Sequence, residues 1–147
     1  MREIDTIAYI STLREIIQTG KDVSLIISGS SMAPFLVHHR DSILIGKPIR
    51  DLRRGDMVFY ERESGQFVMH RIRRVRREGL YLIGDGQTET EGPLNKDRVF
   101  AIVKEVHRKG KWIGPKDKWW IFFSTFWLWM IPLRPLILKL YSFVFHR

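Results

Sequence analysis

Over the first twenty residues the apolar positions recur three and four apart. Ile7, Ile10, Leu13, Ile16 and Ile17 share one face at that spacing, which predicts a helix over 5–19. Asp5 or Thr6 can cap its start, and Gly20 stands where a C-terminal cap belongs. Beyond Lys21 the period shortens. Residues 23–27, 42–45, 57–60, 67–72, 80–83 and 99–103 are short apolar runs bounded by Gly, Pro, Ser and Asp, and each predicts a strand. Turn signals at 63–66 and 78–79 predict hairpins between neighbouring runs. The expected body is therefore mainly β, with one short helix ahead of it. No apolar run of membrane-spanning length and no signal-peptide pattern opens the chain, so the leading helix is expected neither to cross a membrane nor to direct export.

The pattern changes again near residue 116. Residues 119–133 form 15 uncharged positions, short of the ~20 a spanning helix needs. Arg134 follows, then an apolar stretch to Phe145 that contains Lys139, and Pro132 and Pro135 interrupt any continuous helix. One unbroken span would put Arg134 near mid-bilayer, at a cost of about 2.5–3.5 kcal/mol. Two amphipathic pieces in the membrane interface fit the pattern better, with Trp at headgroup level and the flanking Lys and Arg reaching water. Spanning or re-entrant insertion, and packing on the body or an oligomer contact, are the alternatives. The expected division is a folded body over 1–115 and an aromatic-rich, membrane-associated tail over 116–147.

Composition sharpens this division. Of 18 aromatic residues, 10 lie between Trp119 and Phe145. The net charge of +9 is uneven: residues 40–77 carry +6 and 104–147 carry +7, whereas 1–39 carry −1 and 78–103 carry −3. A basic, aromatic tail suits a lipid surface better than nucleic acid. The run from Arg71 to Arg77 invites a nucleic-acid reading, but in a strand its arginines alternate faces and form no single stripe. The 22 residues ahead of the first strand allow one helix, too little for a helix-turn-helix, so no nucleic-acid partner is expected. The absence of cysteine excludes a disulfide scaffold, a thiolate zinc site and a cysteine nucleophile.

One constellation offers chemistry. Ser31 follows a predicted buried strand in the turn Ser28-Gly29-Ser30-Ser31-Met32-Ala33-Pro34, and Gly29 permits a bend whose backbone N–H groups can face an oxyanion. A serine hydroxyl needs a base to take its proton. His38, His39, His70, His107 and His146 are the candidates, and His70 lies within a strand that would hold its ring. Asp85, in Gly84-Asp85-Gly86, is placed to orient that imidazole. Each element alone is ordinary: a turn serine, a packed histidine, an Asx turn.

Taken in order, these segments resemble type I signal peptidases. The 28–34 turn is similar to their serine box, Ser-Met-x-Pro. Gly55-Asp56-Met57-Val58-Phe59-Tyr60 resembles the strand that follows it. Val68-Met69-His70-Arg71-Ile72 resembles the base-bearing strand in its His-Arg form, that of the endoplasmic-reticulum and archaeal enzymes. Gly84-Asp85-Gly86 resembles the final Gly-Asp-Asn box. The resemblance covers roughly 23–106 and extends to the clan that includes LexA-like self-cleaving repressors. It implies a coiled β-sheet domain with Ser31 as nucleophile, His70 as general base and Asp85 as the acid. It places Glu91 as a second acid, six positions beyond Asp85. It also implies an oxyanion hole from the backbone of Ser31 and Ser30, a cleft near Met32 and Pro34, and no metal or cofactor. The implied function is a serine endopeptidase acting on a membrane-associated or exported peptide. Two features depart from that plan. Gly29 stands where many members carry a serine that assists the oxyanion hole, and no spanning helix precedes the serine box. The alternative is a catalytically inactive module of the same fold that binds peptides at a membrane surface.

Overall fold

A computed structural model describes residues 3–29 and 31–145. Helix α1 (Glu3–Gln18) leads into strand β1 (Val23–Ile26), followed by β2 (Ser42–Gly46), β3 (Met57–Glu61), β4 (Phe67–Arg76), β5 (Gly79–Ile83), β6 (Glu91–Leu94), β7 (Val99–Arg108) and β8 (Lys111–Ile113). All pairings are antiparallel. The order across the sheet is β1-β2-β7-β3-β4-β5-β6, with β8 paired to β7. Three helices close the chain: α2 (Lys118–Ser124), α3 (Phe126–Trp129) and α4 (Arg134–Phe145). The mainly β body expected from the alternating runs is what forms. β6 and β8 carry no comparable apolar run. β6 reads Glu91-Gly92-Pro93-Leu94, and its proline is tolerated because this is an edge strand.

The register sorts the side chains into two cores. Directly opposed residues point to the same side of a sheet, and the side alternates along each strand. Phe59↔Ala101, Ile45↔Val103 and Ile43↔Val106 therefore share one face. That face buries Ile43, Ile45, Met57, Ala101 and Val106 against Leu13 and Ile17 of α1 and against Met32 and Phe35. Val58↔Ile102 and Ile72↔Leu82 share the other face, where they pack with Tyr60 and Leu80.

The last three helices divide their apolar residues between the body and the outside. Asp117 caps α2, accepting from the N–H groups of Trp119 at 2.8 Å and Trp120 at 3.3 Å. Trp120, Phe123 and Trp127 join the first core, and the Phe123 ring centroid lies 4.8 Å from that of Phe35. Leu128 and Ile131 pack on Ile83. Trp119, Ile121, Phe126, Leu133 and Leu136 remain exposed. No single helix among the described residues is long and apolar enough to cross a membrane, and the arms Lys118–Trp129 and Ile131–Val144 meet at 88°.

Arg134 differs most from its expected place. Its side chain does not reach out to water but is 0% exposed within the fold. Nη1 donates to the carbonyls of Gly84 at 2.9 Å and Gln87 at 2.8 Å, while Nε and Nη2 donate to Trp127 at 3.3 and 3.1 Å. Its guanidinium also lies 5.1 Å from the centre of the Trp127 ring. Burial lowers its pKa to about 10, leaving the cation charged at neutral pH. Four acceptor contacts replace the lost hydration, so the charge that argued for the membrane interface is satisfied inside the protein.

Candidate active site

Ser31 sits half-buried just past the end of β1. The turn that presents it is braced from three sides. Gly29 takes φ +92°, a conformation costly for other residues, and its N–H donates to Nδ1 of His38 at 2.7 Å. Leu36 N–H donates to the Met32 carbonyl at 3.0 Å, closing a single helical turn. Gly86 N–H donates to the Ser31 carbonyl at 2.9 Å. Gly84 completes the seat, because an added Cβ there would overlap the Ser31 carbonyl oxygen. Met32 is buried in the first core beneath the turn, and Pro34 is half-buried beside it. Among the described residues no acceptor takes the Ser31 N–H. Ser30, the second expected oxyanion donor, lies outside the described residues.

His70 lies in β4 opposite Val58, on the face of the second core, and is only 4% exposed. Tyr60, two residues from Val58, shares that face. So does Glu91, which pairs with Leu82, itself the partner of Ile72. The register thus delivers all three side chains to one spot. Nδ1 of His70 lies 3.1 Å from the Tyr60 hydroxyl and 3.4 Å from Oε1 of Glu91. The Arg62 guanidinium fixes Glu91 through a two-pronged contact, Nε to Oε2 at 3.0 Å and Nη2 to Oε1 at 2.6 Å. A carboxylate only accepts, so it favours the tautomer with hydrogen on Nδ1. That leaves Nε2 as the basic nitrogen.

No hydrogen bond joins Ser31 to His70 among the described residues; the link between them runs through the sheet, where the β4–β5 pair Arg71↔Ile83 lies next in sequence to His70 and to Gly84. Gly84 is the residue on which the Ser31 carbonyl rests.

Asp85 does not take the expected role beside His70. Both of its oxygens accept from Arg71, Nε to Oδ1 and Nη2 to Oδ2 at 2.8 Å each, and both residues are 0% exposed. Alternation explains the correction. Arg71 follows His70 and so points to the opposite face. Asp85, two residues past Ile83, falls on that same opposite face. Arg71 also donates to the Gly55 carbonyl at 2.9 Å, and Trp127 Nε1 donates to the Asp85 carbonyl at 2.6 Å. Asp85 is therefore the keystone of the turn under Ser31, and the acid at His70 is Glu91.

The other histidines are engaged elsewhere. His38 braces Gly29 and stacks on His39 at 3.5 Å between ring centres, while His107 packs its edge on Trp112. His146 lies outside the described residues.

A sequence profile of the Peptidase S24-like family matches residues 2–111. The chain belongs to that family. No curated protein and no solved structure is matched by it. The S24-like assignment makes the chain a serine peptidase of the autoprotease-related type, which agrees with a serine presented on a braced turn beside a β-sheet. The matched segment covers α1 and most of the sheet, and α2–α4 lie beyond it.

Electrostatics in this S24-like site suit a neutral base. Burial pushes the His70 pKa below its ordinary value, and the nearby Glu91 carboxylate only partly offsets this. Burial disfavours the Glu91 carboxylate as well, but the Arg62 fork and the Tyr60 hydroxyl outweigh it and hold Glu91 ionised below the usual range. Tyr60 is kept in its phenol form by burial and by Glu91.

The expected pH–rate profile follows from these directions. A base with a lowered pKa is already neutral at lower pH, so the acid limb of kcat/KM falls below about 6.5. Glu91→Gln removes an interaction that raises the His70 pKa, so this variant shifts the acid limb to still lower pH while reducing kcat. A limb that stays in place in Glu91→Gln would exclude Glu91 as the positioning acid of His70. Tyr60, Arg62 and Arg71 received no site role from the sequence, because each is an ordinary strand or turn residue until the register brings it to the site.

Proposed function

We propose that this S24-like peptidase is a Ser–His endopeptidase of the signal-peptidase type, working on peptides at a membrane surface. The observation that carries the reading is Nδ1 of His70 set against the Arg62-fixed carboxylate of Glu91. In this reading Nε2 of His70 takes the proton from Ser31 Oγ as that oxygen adds to the scissile carbonyl. The Ser31 N–H, with that of Ser30, stabilises the oxyanion. His70 then delivers the proton to the departing amine, and water hydrolyses the acyl-serine by the same path in reverse. Glu91 acts through His70 as a positioning residue.

A peptide substrate adds as a strand along the open outer edge of β1, which runs directly into the Ser31 turn and exposes Ile26. The resemblance to signal peptidases supports small residues beside the cleaved bond. The outward Trp119, Phe126, Trp129 and Leu136 support association with lipid through residues 119–145.

The test is cleavage, in detergent micelles, of a single-span precursor carrying small residues before the scissile bond, beside a matched precursor carrying bulky ones. The expected result is cleavage of the first only, together with labelling by an acylating serine-directed probe. Absence of both labelling and cleavage would favour the peptide-binding module over the enzyme.

A further inference from the structure

Strict alternation along β4 would scatter its arginines over two faces. The register shifts between Ile72 and Arg74, however, and Arg73 is the extra residue of a bulge. The bulge turns Arg73, Arg74 and Arg76 to one side. There they line, with Arg53 and Arg54 of the loop before β3, an open groove of about 480 Å³. The arginines expected to alternate faces do so in part: Arg71 is buried against Asp85, while Arg73, Arg74 and Arg76 share this groove.

The groove has two further properties. No acidic side chain lines it, and among the described residues none of its five arginines is in an ion pair. Arg73 donates only to Thr90 Oγ1, at 2.7 Å. Its pKa is lowered by burial and by the neighbouring charges of Arg74 and Arg54, so the cluster is under like-charge repulsion that an anion would relieve. Its apolar lining is Leu52, Val75, Leu128 and Trp129, and Trp129 is 77% exposed. Phe126, Leu133 and Leu136 of the same tail are exposed as well.

We propose that this groove is a binding site for the phosphate headgroup of an anionic membrane lipid. A lipid matches it in both halves: a phosphodiester for the guanidinium groups and acyl chains for the adjoining apolar surface. A nucleic-acid strand would supply phosphates but nothing to cover Leu133 and Leu136. The site deepens, and rests on, the reading of residues 119–145 as a membrane-surface element. It adds to that reading a preference for charge and an orientation, with the β4–β5 hairpin facing the lipid.

The test measures binding of the full chain to vesicles of phosphatidylcholine alone and of phosphatidylcholine mixed with phosphatidylglycerol. The expected result is tighter binding to the anionic vesicles, weakening as salt rises. Arg53→Gln/Arg74→Gln/Arg76→Gln should lose about fivefold of that advantage per arginine, roughly 100-fold in all, with binding to neutral vesicles unchanged. The corresponding triple lysine variant should keep most of it, which separates loss of charge from loss of fold.

An anionic advantage that survives the glutamine variant overturns the proposal. So does an oligonucleotide that abolishes anionic-vesicle binding, or an advantage absent in the native chain. Failure of the tail reading looks different: binding to neutral vesicles is then absent, or is indifferent to Leu133→Ser/Leu136→Ser, while the arginine-dependent advantage persists. Binding to neither vesicle overturns both.

Discussion

Ser31→Ala is expected to abolish peptide cleavage and serine-directed acylation, a fall on the order of 10⁴- to 10⁶-fold in kcat. The size follows from what is removed. In the proposed mechanism Ser31 Oγ forms the covalent bond, so the substitution deletes the two-step path itself. What remains is binding and the backbone N–H, which by themselves preserve only a small catalytic remnant. The fold should be indifferent, because the turn is held by backbone groups and by His38: Gly86 N–H to the Ser31 carbonyl, Leu36 N–H to Met32, and Gly29 N–H to His38. His70→Ala should cost a comparable amount, and the double variant little more than either, since nucleophile and base act as a unit. Labelling that survives in Ser31→Ala would reject the nucleophile outright.

The second large effect is on stability. Asp85→Ala is expected to destabilise the protein by about 3–5 kcal/mol, because among the described residues it leaves the Arg71 guanidinium, 0% exposed, with the Gly55 carbonyl as its one hydrogen-bond acceptor and the Phe35 ring beside it. Breaking one side of a buried pair costs far more than replacing both sides. Arg71→Met/Asp85→Leu should therefore recover most of the loss in a urea unfolding midpoint. This separates the two roles open to Asp85. A residue that oriented His70 would lower kcat and move the pH profile with little loss of stability. A keystone lowers stability first, and in the molecules that remain folded the acid limb moves to lower pH by less than in Glu91→Gln, because the Asp85 charge is the smaller of the two carboxylate influences that raise the His70 pKa. An Asp85→Ala variant of native stability would contradict the structure described above.

The strands that were legible in the sequence are those whose apolar residues alternate or run together, as in 57–60, 67–72 and 80–83. Ser31 and His70 were legible through their resemblance to known boxes. What was hidden depends on register. Glu91 was legible as a second acid through the resemblance, but its contact was not: it lies on a strand that does not look like one, Glu91-Gly92-Pro93-Leu94, and the pairing Leu82↔Glu91 brings it to His70. Asp85 and His70 belong to neighbouring motifs, so sequence order suggests a pair. Counting faces across β4 and β5 separates them, because Arg71 and not His70 shares a side with Ile83. The tail shows the same limit. Its apolar content was plain, but whether a given residue meets lipid or protein depends on which side of α2, α3 and α4 it occupies. Trp127 and Arg134 turned inward while Trp129 and Leu136 turned out.

The family match ends at residue 111, yet the support of the Ser31 turn does not. Arg134 ties the Gly84 and Gln87 carbonyls to the tail, and Trp127 holds the carbonyl between Asp85 and Gly86. The division at 115/116 is thus a boundary of composition and not of folding. Under the proposed membrane reading, a load on the outward face of these helices would reach the turn under Ser31 through two side chains, and docking and catalysis would be mechanically in series.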